Sequence, residues 1–308
     1  MSLSMAGKKH PILTVLVILV AVALVLGGTM VAALKILAPS SPLFFHEKIG
    51  IVTIDGAILD SRAVTSQLVK FRKDKRIKAV VLRINSPGGS IGPTQEIYRE
   101  VQKMLPHKQV VASMGAVGAS GGYYIASAAH KIVANPGTIT GSIGVLMEFV
   151  RVEELLKKIG VDLEILKSGE FKDIGSPDRK LTDRDREILN RLIMDLQKQF
   201  VEAVAMGRNL SVEKVDQIAD GRVFSGARAK ALGLVDELGN FQDTVELAKE
   251  MAGIQGEATL VHGEGKKSAL WDLVFRSGAR LFLSQINEAA ETIQYRWNGF
   301  VPQDIKER

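Results

Sequence analysis

Residues 79–90 read Ala-Val-Val-Leu-Arg-Ile-Asn-Ser-Pro-Gly-Gly-Ser. The first six are too continuously apolar for a half-exposed strand, which predicts a central strand of a mainly parallel sheet. The last six are turn residues: proline presets one turn dihedral, and the two glycines let backbone N–H groups approach a ligand closely. Such a turn can present N–H donors to an oxyanion, and an ordinary strand-to-helix turn is the alternative interpretation.

The same alternation of short apolar runs and helical stretches continues on both sides of this segment, which predicts an α/β fold. Thr182 and Asp185 have the spacing of a capping box at the start of a long amphipathic helix, and Ser225 is expected to cap a helix that ends at Gly233. The predicted strands are 51–54, 79–84, 110–114 and 131–134, and the other predicted helices are 94–104, 120–129 and 152–159.

Composition excludes several classes of protein. The chain has 308 residues, of which 46% are hydrophobic and 24% charged, so a large core is expected and disorder is not. The absence of cysteine excludes disulfides, thiolate nucleophiles and cysteine-ligated metals. Three of the 40 basic residues, Lys8, Lys9 and Lys35, flank the first apolar stretch, which leaves 37 basic against 34 acidic residues. That balance is too even to indicate nucleic-acid binding.

The first apolar stretch predicts a membrane anchor. Pro11 to Leu34 contains no charged residue, and a helix of this length measures roughly 36 Å, enough for a hydrocarbon core of about 30 Å. The lysines before it place the N-terminus in the cytoplasm, with the rest of the chain on the extracytoplasmic side of the inner membrane. A cleaved signal peptide is the alternative. We therefore expect a cytoplasmic tail at 1–10, a transmembrane anchor at 11–37, a linker at 38–47, a globular domain at 48–255 and a C-terminal amphipathic, oligomerising or mobile segment at 256–308.

A second glycine-rich segment, Gly115 to Tyr124, again follows a strand and opens a helix. A serine here, Ser120, would lie on a sharp turn at a helix N-terminus, where the partial positive charge favours a developing negative charge on oxygen. The N–H group of Gly121 could join an oxyanion hole. A capping serine in a glycine-rich turn is the equally weighted alternative.

A serine nucleophile needs a base, and none of the five histidines has the setting of a triad histidine. His130, for example, lies at the far end of the Ser120 helix. Lys172, in the segment Phe171-Lys172-Asp173-Ile174, is the alternative base. A lysine acts as a base only where burial or nearby positive charge lowers its pKa. Phe171 and Ile174 could supply burial, but Asp173 must point away; an ordinary surface lysine is the competing interpretation.

Five ordered motifs resemble those of the bacterial signal peptide peptidase A family, short form, in the ClpP/crotonase-like superfamily. The resemblance runs from about Lys48 to Ala252. Its motifs are RINSPGG at 83–89, ASGGYYIA at 119–126, GSIGV at 141–145, SGEFKD at 168–173, and GRVFSG at 221–226 with GLVD at 233–236.

The resemblance implies a repeated ββα spiral and a serine endopeptidase with a Ser–Lys dyad, here Ser120 and Lys172. It also implies that Ser142 orients the lysine and that Gly88 and Gly89 belong to the oxyanion hole. No cofactor or metal is implied. Expected partners are the membrane, hydrophobic peptides such as remnant signal peptides, and further copies of the chain in a ring or dome with shared active sites.

Three alternatives remain open at this stage. A stomatin-associated membrane protease would use the same dyad on one specific protein. A crotonase-type acyl-CoA enzyme would share the fold, and a noncatalytic membrane scaffold would not need Ser120 at all.

Overall fold

The computed structural model describes residues 11–37, 47–263 and 293–296, with side chains in the first range only at 15, 18–30 and 33 and none in the last. The chain divides into two compact units, Met1–Phe45 and His46–Arg308. The first contains helix α1, Pro11–Leu37. Among the residues that the structure describes, no helix combines the length and apolarity of a membrane span. The expected tail at 1–10, nearly all of the linker, and the C-terminal segment at 264–292 and 297–308 lie outside the described residues.

The second unit alternates strands and helices as the sequence predicts. Its strands are β1 (Lys48–Asp55), β2 (Ile77–Ser86), β3 (Gly88–Ser90), β4 (Gln109–Ala119), β5 (Lys131–Ala134), β6 (Ile139–Gly141), β7 (Leu146–Met147), β8 (Val223–Ser225), β9 (Glu237–Leu238), β10 (Thr259–His262) and β11 (Ile293–Arg296). Its helices are α2 (Arg62–Lys73), α3 (Ile91–Met104), α4 (Gly121–Ser127), α5 (Glu153–Lys158), α6 (Asp183–Arg208), α7 (Val212–Asp216), α8 (Gly226–Ala231) and α9 (Phe241–Ala252).

The main sheet has the order β10-β1-β2-β4-β5-β9, and all pairs along this path are parallel. The predicted central position of β2 is confirmed, since Val80, Val81 and Leu82 are completely buried. Strand β4 runs further than predicted. Its first half pairs with β5, and its second half pairs with β6, which in turn pairs antiparallel with β8. This extension carries the chain directly to Ser120.

Both faces of the sheet are covered. The larger core, on one face, includes buried residues of α2, α3, α4 and α6. The smaller core lies under α9, where Val245 and Ala248 pack against Val81 and Val111. The mixed α/β architecture with a largely parallel sheet confirms the predicted fold class.

Two helices differ in detail from the prediction. Helix α3 begins at Ile91 rather than at 94, because Pro93 is tolerated in a first helical turn, where N–H groups have no intrahelical acceptor. Helix α6 has the predicted capping box. Its apolar face is only partly buried, however: Phe200 is inaccessible, whereas Ile188 and Leu192 are 38% and 39% exposed. The described part of the chain supplies nothing to cover the first half of this face.

Candidate active site

Ser120 occupies a strained backbone conformation at the junction of β4 and α4. Its φ and ψ angles are 53° and −118°, a region that costs a non-glycine residue on the order of 1–3 kcal/mol. Two backbone hydrogen bonds hold it there. Its N–H group donates to the carbonyl oxygen of Gly141 at 2.8 Å, and its own carbonyl oxygen accepts from Tyr124 N–H at 2.8 Å. Strain maintained in this way is typical of functional sites.

The Ser120 hydroxyl has no hydrogen-bond partner in the described chain, although the residue is only 1% exposed. A buried hydroxyl without a partner is unfavourable by roughly 1–3 kcal/mol. Strain and an unpaired hydroxyl at the same residue indicate a group held ready for a partner from outside the described part of the chain.

Gly122 lets α4 approach the end of β2. A Cβ atom at this position would lie 2.9 Å from the carbonyl oxygen of Ser86. Gly122 therefore permits a close contact between the head of α4 and the Ser86-Pro87-Gly88 turn. Through this contact the two glycine-rich segments of the sequence meet in space.

We predict that Gly122→Ala destabilises the protein by about 1–3 kcal/mol, since the added methyl group overlaps backbone that cannot rotate away. Gly92→Ala in α3 is the matched control, because no atom lies within 4 Å of its Cβ position; it is expected to be neutral or stabilising by up to about 1 kcal/mol. Urea denaturation of both variants measures the difference. Equal midpoints for the two would contradict the close contact.

The turn at 86–90 is determined by its two glycines. Gly88 has a φ of 102°, which strongly favours glycine, and its N–H group donates to Ser86 Oγ at 3.1 Å. A Cβ atom at Gly89 would lie 2.3 Å from the carbonyl oxygen of Ile58. Ile58 pairs with this turn, since its N–H group donates to Gly88 at 2.9 Å and its carbonyl oxygen accepts from Ser90 at 2.8 Å.

This pairing leaves the opposite edge of β3 to a different partner. Along a strand, successive residues direct their N–H and C=O groups to opposite sides. Because Gly88 and Ser90 use theirs on Ile58, those of Gly89 point the other way. On that side lies a second sheet, in the order β3-β11-β7.

Ser142 lies next to the serine turn. It directly follows Gly141, the acceptor of the Ser120 N–H group, and its own N–H group donates to Arg222 at 2.8 Å. It is 6% exposed and has a φ of 51°. A cavity of about 500 Å³ adjoins it, lined among others by Ser142, Gly144 and Leu146 and by Ile193, Met194 and Gln197 of α6. The side-chain oxygen of Gln197 is buried there without a partner.

Lys172 is exposed in the single chain and is not bonded to Ser120. The neighbouring Asp173 does point away, as a lysine base requires. Its carboxylate accepts from Lys167 at 2.8 Å and from Arg179 at 2.9 Å, and these bonds, with Arg179 first, hold the pKa of Asp173 well below its usual range. Phe171 and Ile174 are half-buried, so the segment is anchored while its lysine projects outward.

The structure thus brings most of the predicted site residues together, but not all of them. Ser120, Gly121 and Ser142 share one hydrogen-bonded junction, and the Gly88-Gly89 turn adjoins it through Ser86. Lys172 lies apart from this group. His130 is far from it as well: its Nδ1 accepts from the N–H group of Val110 at 3.1 Å, near the start of β4, whereas Ser120 follows the end of that strand.

Fold and site together are those of a Clp-like protein, with Ser120 at the head of a buried helix and a glycine turn beside it. Residues 45–138 match the model of the Clp protease family, and residues 103–255 match the model of peptidase family S49.

Curated relatives extend this assignment along most of the chain. A Synechocystis sp. protein described as a "putative protease" is 46% identical over 210 residues, which are 68% of this chain and 76% of the relative. A "putative protease" of Methanocaldococcus jannaschii is 31% identical over 88% of this chain and 92% of its own length. A "putative signal peptide peptidase" of Enterococcus faecium is 38% identical over 60% of this chain and 54% of its own length. The chain belongs to peptidase family S49 and is a serine protease.

Several residues that shape the site were not singled out by the sequence analysis. Ile58 supports the glycine turn, Ser86 orients Gly88, and Gln197 lines the cavity beside Ser142. Only Ser86 carried a signal, because it precedes the Pro-Gly-Gly turn. The others come from segments far away along the chain, and no local pattern marks them.

Proposed function

We propose that this protease is a membrane-anchored endopeptidase that hydrolyses short hydrophobic peptides, such as remnant signal peptides, with Ser120 as nucleophile and Lys172 as general base. The observation that carries the proposal is the buried hydroxyl of Ser120, which has no hydrogen-bond partner among the described residues. Membership of family S49 argues against the crotonase and scaffold alternatives. The stomatin-associated alternative would use the same dyad and differs from this proposal in cleaving one specific protein.

The proposed reaction needs only groups of the protein and water. Neutral Lys172 takes the hydroxyl proton as Ser120 Oγ attacks the peptide carbonyl carbon. Backbone N–H groups of the Gly88-Gly89 turn and of Gly121 are the proposed donors to the resulting oxyanion, and the N–H group of Gly88 would have to release Ser86 Oγ to take part. The protonated amine then gives its proton to the leaving nitrogen, and the acyl–enzyme remains. Lys172 next deprotonates a water molecule, which releases the second product and restores Ser120.

We further propose that the base comes from a neighbouring copy of the chain. Among the residues that the structure describes, Ser120 has no side-chain partner and Lys172 is exposed, so the proposed dyad is not assembled there. The cavity beside Ser142 offers two neutral acceptors, the Ser142 hydroxyl and the unpartnered Gln197 oxygen. An amine entering this cavity from outside would find partners there, next to the nucleophile.

Several large apolar side chains of this unit are exposed. Leu166 is 93% exposed, Ile159 63% and Met194 62%, and Met194 lines the cavity itself. Exposed apolar side chains of this kind, with Ile188 and Leu192, are available to an interface with another chain. A second copy of the chain, docked in a ring or dome, would bury these side chains and bring its Lys172 segment to the cavity.

Membrane attachment is proposed from the uncharged sequence of the N-terminal stretch, although none of the described helices meets the length and apolarity of a membrane span. The sequence from Pro11 to Leu34 has no charged residue. Its described large apolar side chains are exposed, including Leu19 at 62%, Leu24 at 72% and Met30 at 66%. A helix that is apolar all round requires an apolar environment. We propose a single-pass anchor with a cytoplasmic N-terminus, which would hold the protease beside hydrophobic peptides in the bilayer.

The substrate class can be tested with the full chain reconstituted in lipid vesicles. We expect cleavage of a synthetic signal peptide, with a kcat/KM at least roughly tenfold above that of a polar peptide of equal length, because a matched apolar side chain contributes about 1–3 kcal/mol in an apolar pocket. The Ser120→Ala protein is the control for contaminating proteases. Equal rates on both peptides would refute the proposed specificity, and cleavage of one intact membrane protein alone would favour the stomatin-associated alternative.

A further inference from the structure

One side chain, that of Arg179, ties the Lys172 segment to the start of helix α6. Its Nε and one terminal nitrogen donate to the two carboxylate oxygens of Asp173, at 3.0 and 2.9 Å. Its other terminal nitrogen donates to the carboxylate of Asp185 at 2.5 Å. A guanidinium is a rigid planar fork, so it can hold two carboxylates in a fixed relative position, which a lysine amine cannot do. Arg179 therefore fixes the residue after Lys172 to the first turn of α6.

The α6 end of this connection is firmly held. The side chain of Asp185 is only 2% exposed. Its carboxylate also accepts from the N–H group of Thr182 at 2.9 Å, and the Thr182 hydroxyl accepts from Asp185 N–H at 3.1 Å. These partners, with Arg179 the largest cause, lower the pKa of Asp185 to about 2. A capping box accounts for the bonds with Thr182, but it does not account for a guanidinium that reaches on to Asp173.

The other end of the connection lies beside the proposed base. The Asp173 carboxylate, 11% exposed, also accepts from Lys167 at 2.8 and 2.9 Å. The carboxylate of Glu170 accepts from Arg184, in the first turn of α6, at 2.8 Å. Both acidic residues within two positions of Lys172 are thus paired with other cations.

This pairing favours a neutral amine at Lys172. A carboxylate close to a lysine stabilises its charged form and raises its pKa, whereas uncompensated cations lower it. The charge of Asp173 is compensated by Lys167 and Arg179. Without Arg179, the carboxylate would lose its bidentate partner and become available to the lysine amine next to it. The neutral fraction of that amine falls about tenfold for each unit by which its pKa rises.

We propose that Arg179 is a positioning residue for the general base: it fixes the Lys172 segment on α6 and prevents the Asp173 carboxylate from pairing with the lysine amine. This inference rests on the proposed function of Lys172. Helix α6 also carries Gln197, which lines the cavity beside Ser142. One helix therefore holds both the segment that presents the base and a wall of the cavity proposed to receive a base.

The test replaces Arg179 with an uncharged side chain, Arg179→Gln, in the full chain. Two midpoints are measured: that of the pH dependence of Lys172 acetylation by trace acetic anhydride, located by mass spectrometry, and that of kcat/KM. We expect both to move to higher pH by about 1. The value of kcat/KM at pH 7 then falls about tenfold and recovers in part at pH 10. Arg191→Gln is the matched control, because Arg191 forms an exposed ion pair with Glu187 on the same helix; its midpoints should not move.

Asp173→Asn gives a second test that does not remove the bond between Arg179 and Asp185. It deletes the carboxylate and leaves Lys167 and Arg179 as uncompensated cations, so the midpoints for Lys172 should move to lower pH. The double variant, Arg179→Gln with Asp173→Asn, should lose the upward shift of Arg179→Gln alone. Loosened packing cannot explain shifts of opposite sign in the two single variants.

The outcomes separate this inference from the proposed function. If Lys172→Ala is inactive but Arg179→Gln has the same midpoints as Arg191→Gln, the base stands and the role of Arg179 is overturned. A loss of activity in Arg179→Gln that is equal at every pH, with an unchanged acetylation midpoint, would also overturn it. Full activity of Lys172→Ala would refute the proposed function. The acetylation midpoints, which need no catalysis, would then still decide whether Arg179 controls the protonation of Lys172.

Discussion

Ser120→Ala is expected to reduce kcat by on the order of 10⁴–10⁶-fold, the loss seen when a serine hydrolase loses its nucleophile. The protein should keep its fold, because Ser120 makes no side-chain hydrogen bond. Removal of a buried unpaired hydroxyl is also expected to leave the free energy of unfolding unchanged or slightly higher. Peptide hydrolysis and urea denaturation measure these two effects. Loss of a fluorophosphonate adduct, located by mass spectrometry, gives an independent check.

Ser127→Ala provides the matched control. Ser127 lies in the same helix and is fully buried, but its hydroxyl donates to the carbonyl oxygen of Tyr124 at 2.7 Å. We expect it to lose about 1 kcal/mol of stability and to retain activity. An active Ser120→Ala enzyme, or an inactive but folded Ser127→Ala enzyme, would contradict the assignment of the nucleophile.

Lys172→Ala is expected to lower kcat/KM by at least roughly 10²–10⁴-fold, the usual contribution of a general base. Because Lys172 is exposed and its neighbour Asp173 binds Lys167 and Arg179 instead, the stability of the single chain should not change. Lys180→Ala is the control, since Lys180 is exposed in the same segment. Steady-state kinetics on one peptide compare the three proteins.

Coexpression of the two inactive variants then tests whether neighbouring copies share the site. A random mixture of Ser120→Ala and Lys172→Ala chains should recover about a quarter of wild-type activity, because about one interface in four joins an intact Ser120 to an intact Lys172. Activity that never returns in mixed oligomers would place the dyad within one chain. Full activity of Lys172→Ala alone would eliminate the lysine base.

The local features of this protein could be predicted because each depends on a few adjacent residues. Continuous apolar residues at 79–84 indicated a buried strand, and Thr182 with Asp185 indicated the start of α6. The position of Ser120 on a strand-to-helix turn could be predicted because glycines flank it, and the structure places it there; its role as the nucleophile stays a prediction. Two element boundaries were predicted wrongly because the prediction used only neighbouring residues. Helix α3 starts earlier than Pro93 suggested, and strand β4 continues beyond its apolar run because its second half pairs with β6.

Sequence alone determined the fold class, the serine turn and the apolar N-terminal stretch, since side-chain periodicity and glycine's backbone freedom act over neighbouring residues. Only the tertiary structure decided that the Ser120 hydroxyl lacks a partner among the described residues, that Asp173 binds Lys167 and Arg179, and that β11 pairs with β3 beside Gly89. Most of these features depend on segments distant along the chain. Packing of the whole domain sets them, and no short pattern of residues encodes them.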